Sequence, residues 1–176
     1  MNFSQQLLMP LQFLLWSAVF YITHPILIAI SIIPAAIRAA QMLKNKYLSS
    51  HLLEALAGIS RVVLVFAIIA VSAPSGIAGV LSGQALAESF YQSFQYVKAG
   101  WPGILLQLVL FALLFGLINL LINYVVGKVS SAKLANGPKA GSRELTPGGN
   151  AVLFVIKNTL VIPISMIYLF RVLGII

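Results

Sequence analysis

The stretch from residue 101 to residue 126 contains 26 consecutive residues without a charged side chain. About 20 apolar residues in a helix are enough to cross the hydrocarbon core of a bilayer. Three more apolar stretches of comparable length lie at about 11–37, 52–73 and 151–170. The sequence therefore predicts an all-α integral membrane protein with about four transmembrane helices in a bundle.

The composition excludes most soluble classes of protein. Of the 176 residues, 60% are hydrophobic and only 8% are charged, whereas a soluble domain carries about 25% charged residues. The chain has no cysteine, so disulfides and zinc–thiolate sites are excluded. We interpret residues 1–176 as a single polytopic membrane domain.

The first span contains a proline near its middle. The apolar run from Leu7 to Ile37 is too long for the core of a signal peptide, so we expect this helix to be retained. Pro25 removes a backbone donor and crowds the preceding turn. We therefore predict a kink in the first helix at Pro25.

The second span has two alternative positions. It covers either about 52–73, with Glu54 and Arg61 inside the membrane, or about 62–81, with Arg61 at the interface. The turn signal Pro74-Ser75-Gly76 favours the first position, because it ends the helix near Ser72.

The segment 73–100 connects the second and third spans. Within it, Leu86, Phe90, Phe94 and Val97 recur at helical spacing from Gln84 to Lys98. This pattern is typical of a short extracytoplasmic amphipathic helix on the outer leaflet. A connector that packs against the bundle remains an equal alternative.

The basic residues set the expected orientation. The chain has eleven Lys and Arg against three acidic residues, for a formal net charge of +8. Four of them lie in the connection 38–61 and four in 127–150, but only Lys98 lies in 73–100. Because basic loops face the cytoplasm, we place the loops 38–51 and 127–150 inside and both termini outside. We expect an integral protein of a bacterial cytoplasmic membrane, with anionic lipid headgroups near the basic loops and no nucleic-acid partner.

Four ionisable residues within the spans are candidates for function: His24, Glu54, Arg61 and Lys157. Charges inside a bilayer are costly, so each is a functional candidate by default. His24 shares a stripe with Ser17, Ser31 and Ala35. That stripe predicts either a helix-packing seam, with His24 donating to a backbone carbonyl or to Asn119 or Asn123, or a polar path.

The charged candidates also have alternative roles. Glu54 and Arg61 are seven residues apart, which is too far for an ideal ion pair on one helix. Lys157 lies about 10 Å into the last span. It either extends back to the headgroups or pairs with Glu54.

The third span carries small and amide residues at intervals of three or four on one face. Small residues let helix backbones approach, and Asn side chains bridge between helices. We therefore predict a helix-packing face formed by Ala112, Gly116, Asn119, Asn123 and Gly127.

Motifs of catalysis are absent from the sequence. There is no GxxxxGK[ST], HExxH or GxSxG, and two His and three Glu give little material for a metal site or an acid–base dyad. We expect no enzymatic activity, cofactor or metal.

Two functional classes remain. The first is a non-catalytic subunit of a larger membrane assembly, such as a secretion or transfer apparatus, a transporter or a respiratory complex. The second is an autonomous homo-oligomeric transporter or channel with a path lined by His24, Glu54, Arg61 and Lys157. Scarce buried polarity favours the subunit.

Overall fold

The computed structural model describes residues 3–43, 51–134 and 147–176, and it forms only helices in these ranges. Seven α-helices and one π-helical segment, Lys157–Val161, follow one another. The α-helices are α1 (Phe3–Thr23), α2 (Pro25–Leu43), α3 (His51–Ser72), α4 (Gly76–Leu81), α5 (Gln84–Leu134), α6 (Pro147–Ile156) and α7 (Ile162–Val172).

Four helical segments in the described ranges are long and apolar enough to cross a membrane. They are Pro25–Leu43, His51–Ser72, Gln84–Val129 and Gly148–Val172, and at most a third of the residues in each are buried. Such apolar and exposed helices are those of an integral membrane protein. Because α3 begins at His51, Glu54 and Arg61 both lie within it.

The region of the first predicted span consists of two helices. α1 ends at Thr23 and α2 begins at Pro25, so His24 alone lies between them. The backbone reason is that Pro25 has no N–H for the carbonyl of Tyr21, while proline suits the first position of a new helix. The apolar part of α1 that precedes the break runs from Leu8 to Thr23.

Contacts between helices join the two ends of the chain. α1 packs against α7, and α2 packs against both α3 and α6. Tyr21, Leu27, Leu64, Ile68 and Ile167 form one buried cluster at the centre of these contacts. The N-terminal helices therefore run beside the C-terminal ones.

Helix α5 bends where its two predicted parts join. Gly100 has φ −119° and ψ 17°, which are not helical values, and it separates 84–99 from 101–134. The first part coincides with the predicted amphipathic helix. The second part begins at Trp101, where the third span is predicted to start.

Two predicted loop boundaries differ from the structure. α2 extends to Leu43 and α5 to Leu134, so Arg38 and Lys128 lie on helices although the sequence predicts loops from residues 38 and 127. Lys and Arg are good helix formers, so a helix need not end where its charges begin. Lys44, Lys46, Lys139 and Arg143 of these loops lie outside the described residues.

Candidate functional site

The break between α1 and α2 lies beside the π-helical segment. Tyr21, which is 1% exposed, donates its hydroxyl hydrogen to the carbonyl oxygen of Thr159. In a regular α-helix that carbonyl would accept from the amide of residue 163, but Pro163 has none. The tyrosine of one interrupted helix therefore supplies a donor that the other helix lacks.

A second polar contact joins α3 to the same segment. Arg61 Nη2 lies 3.0 Å from Asn158 Oδ1, and Asn158 Nδ2 donates to the carbonyl of Phe154 at 2.8 Å. Asn158 is 4% exposed, and the buried Nε of Arg61 has no acceptor. Arg61 follows His51 by ten residues, which places it about 15 Å along α3, near the middle of the helix.

His24 lies at the break itself and is partly buried. Its Nδ1 is 2.7 Å from the carbonyl oxygen of Phe20, and its ring lies against the ring of Phe20 at 4.4 Å between centroids. We call Tyr21, His24, Arg61, Asn158 and Thr159 the polar belt.

The other members of the His24 stripe are buried, and its two serines donate to carbonyls of their own helices. The hydroxyls of Ser17 and Ser31 donate to the carbonyls of Phe13 and Leu27, each at 2.7 Å. Both serines are 0% exposed, and Ala35 is 2% exposed. These hydroxyl hydrogens are therefore engaged within their own helices.

Asn119 makes a similar bond within its helix. Its Nδ2 donates to the carbonyl of Phe115 at 2.9 Å. The ring of His24 has its hydrogen bond to the carbonyl of Phe20, so the structure does not join His24 to Asn119.

Glu54 lies apart from the polar belt. Its carboxylate is 3.3 Å from Arg38 Nη1, and its side chain is 57% exposed. Arg38 Nη1 also donates to Gln41 at 2.9 Å. The structure thus pairs Glu54 with Arg38 of α2 and not with Lys157. Lys157, which is partly buried, precedes Asn158 at the start of the π-helical segment.

Most of the predicted packing face of α5 is not covered by the described helices. Ala112, Gly116 and Asn123 are exposed, and Asn119 and Gly127 are partly buried. A Cβ added at Gly116 would meet no atom within 4 Å. We call these five residues the small-residue face.

α5 packs within the chain through a different line of residues. Ile104 and Phe115 are buried against Tyr168 and Val172 of α7. The rings of Phe115 and Tyr168 are 5.7 Å apart between centroids, in an edge-on arrangement. Bulky residues therefore make the contacts of α5 within the chain, and the small-residue face is left outside them.

Sequence reasoning missed Tyr21, Asn158 and Thr159. Pro163 was a usable signal, because a proline inside an apolar helix frees the carbonyl four residues before it. Asn158 was less visible, since its role depends on an arginine 97 positions away.

Metal-ligating side chains do not cluster in the described residues. No group of three His, Cys, Asp or Glu side chains that could hold a metal ion occurs within them.

Comparison of the chain with family models, with curated proteins and with solved structures gave no match.

Proposed function

We propose that this protein is a non-catalytic, multi-pass subunit of a larger membrane assembly, such as a secretion or transfer apparatus, a transporter or a respiratory complex. Its helices pack against other membrane subunits, and its basic cytoplasmic loops 38–51 and 127–150 dock partners or anionic headgroups.

The observation that carries the proposal is the outward position of the small-residue face. Helices in a bilayer associate by close backbone approach and by amide hydrogen bonds, and small residues permit both. Gly116 has open space above it, and the side chain of Asn123 is exposed. An exposed amide in hydrocarbon gains hydrogen bonds from a second helix that lipid tails cannot offer.

The region before the bend of α5 fits an outer-leaflet location. Phe90 and Phe94 are 58% and 65% exposed on one flank, while Glu88, Gln92 and Gln95 are exposed on the other. Such a helix can lie at the interface with its apolar flank in lipid. This location agrees with basic loops inside and both termini outside a bacterial cytoplasmic membrane.

The polar belt favours a second candidate function, an autonomous homo-oligomeric transporter or channel. Transport sites are often built where two discontinuous helices meet at mid-membrane, and the break at His24 lies beside the π-helical segment that follows Ile156. In this account His24, Arg61 and Lys157 line the path, and Glu54 lies at its cytoplasmic mouth.

One experiment separates the two candidates. The tagged protein is purified from its native membranes in mild detergent, as wild type and as Gly116→Leu, and co-eluting proteins are quantified by mass spectrometry. The subunit account predicts partners in fixed stoichiometry that are lost in Gly116→Leu. Leu121→Phe serves as a control, because Leu121 is also exposed on α5 but lies on the opposite side of the helix from the small-residue face. If the wild type and Gly116→Leu both elute without partner proteins, as one small oligomer, the result would support the transporter instead.

A further inference from the structure

A cavity of about 330 Å³ lies where α5 bends, between that helix and α1 and α7. Its volume falls at the lower end of pockets that hold small ligands. Its lining residues include Met9, Phe13, Gly100, Gly103 and Gln107.

The cavity exists because of the bend and of two glycines. Gly100 interrupts the helix, and a Cβ added at Gly103 would meet no atom within 4 Å. Any larger residue at 103 would project into this space. The sequence at the bend therefore leaves room that the described chain does not fill.

The walls are mainly apolar, and an aromatic ring from each of two helices takes part. Phe13 comes from α1 and Tyr96 from the first part of α5. Gly103 and Leu106 are exposed at the rim, so the cavity opens to the surroundings of the helix, which in a membrane are lipid. A molecule that is soluble in the bilayer can enter from that side.

Gln107 distinguishes the cavity from a crevice filled by lipid tails. Its side chain is 9% exposed, its carbonyl oxygen is buried without a hydrogen-bond donor, and its amide nitrogen has only the sulfur of Met9 at 3.6 Å. A thioether is a weak acceptor. Rotation about the last side-chain bond exchanges the two ends of the amide, so Gln107 can offer a donor or an acceptor to the cavity.

A hydrocarbon chain would leave the amide of Gln107 unsatisfied, and an unsatisfied polar group in an apolar environment is costly. The ester group of a phospholipid stays near the interface, at the level of Trp101. Gln107 lies about 9 Å further along the helix, so the ester does not reach its amide. The ligand must carry its own polar atom into the membrane interior. Aromatic walls favour a flat partner.

We infer that the cavity at the bend of α5 binds a planar, membrane-soluble compound of the quinone and quinol class. A quinol hydroxyl donates to the carbonyl oxygen of Gln107, and after rotation of the amide a quinone carbonyl accepts from its nitrogen. Isoprenoid quinones belong to this chemical class. The assignment is independent of the subunit proposal, because it rests on the cavity and on Gln107 and not on the small-residue face.

Decylubiquinone is a suitable probe, since quinones quench tryptophan fluorescence and Trp101 adjoins Gly100 in the chain. The full-length protein carries Trp16→Phe, so that Trp101 is the single reporter, and is placed in nanodiscs of one phosphatidylcholine. Gln107→Leu removes the amide and Gly103→Leu fills the cavity. Gly58→Leu is the matched control, because Gly58 of α3 is a helical glycine with open space above it and no part in the cavity.

The proposal predicts saturable quenching in the parent and in Gly58→Leu. Gln107→Leu weakens binding about threefold to tenfold, as expected for one lost neutral hydrogen bond, and Gly103→Leu abolishes the saturable part. Non-saturable quenching in every variant would show partition into lipid only and overturn the site. Wild-type affinity in Gln107→Leu would overturn the carbonyl contact, and if Gly103→Leu fails to fold, Gln107→Leu still decides.

Discussion

The hydroxyl of Tyr21 donates to the backbone carbonyl of Thr159, across 138 positions of sequence. Both residues lie at interruptions of a helix, one before the break at His24 and one inside the π-helical segment. Each interruption is associated with a proline, Pro25 or Pro163. The hydrogen bond therefore joins the two interrupted helices and supplies a donor to the carbonyl of Thr159.

Tyr21→Phe should destabilise the protein, because it removes this donor and leaves the carbonyl of Thr159 without it. The expected loss is about 1 kcal/mol in the free energy of unfolding. Unfolding titrations with a denaturing detergent measure the loss. Tyr91→Phe is the control, since Tyr91 is 67% exposed, and an equal loss in both variants would contradict the role assigned to Tyr21.

Pro163→Ala should reduce the importance of Tyr21, because alanine supplies an N–H that can reach the carbonyl of Thr159. A double-mutant cycle measures the coupling. Tyr21→Phe is expected to cost less in the Pro163→Ala background than in wild type. Additive effects would mean that the proline is not the reason for the tyrosine contact.

Asn158→Leu should be more damaging than Arg61→Leu. The first leaves a cation near mid-membrane without its acceptor, at a cost of about 2 kcal/mol in the free energy of unfolding. The second removes the charge together with its desolvation cost. Thermal unfolding in detergent ranks the variants, and the double variant Arg61→Leu/Asn158→Leu should recover most of the stability lost in Asn158→Leu.

The orientation predicts opposite labelling of two introduced cysteines in intact cells. Gln95→Cys should react with a membrane-impermeant maleimide, and Ser142→Cys should react only after the cells are opened, because the proposed orientation puts the two positions on opposite sides of the membrane. Gln95 suits this test because it is exposed, whereas the nearby Ser93 is buried and donates to the carbonyl of Leu173. The reverse pattern would invert the orientation.

Hydrophobic length predicted the number of spanning segments, since four segments of the described chain are long and apolar enough to span a membrane. The first predicted span, 11–37, instead covers parts of both α1 and α2, of which Pro25–Leu43 is long enough to span. The predicted amphipathic helix ends at Lys98 and the predicted third span begins at Trp101, so the boundary between them coincides with the bend at Gly100. Helix ends were less predictable: α5 continues eight residues past Val126, since basic residues do not stop a helix.

The candidate site was only partly predictable, because polar contacts between helices depend on rotation and register. Glu54 could have met Lys157 or Arg38, and only the packing of α2 against α3 favours Arg38. The small-residue face shows the same limit. Its spacing indicates a helix partner, but it does not say whether that partner belongs to this chain.

The most direct test of the subunit account is cross-linking in native membranes from a photoreactive amino acid placed at Asn123, with Leu121 as the matched position. The account predicts one discrete cross-link to a different membrane protein from position 123, and only lipid adducts from 121. Lipid adducts alone at both positions, or a cross-link from position 123 to a second copy of this chain, would contradict it.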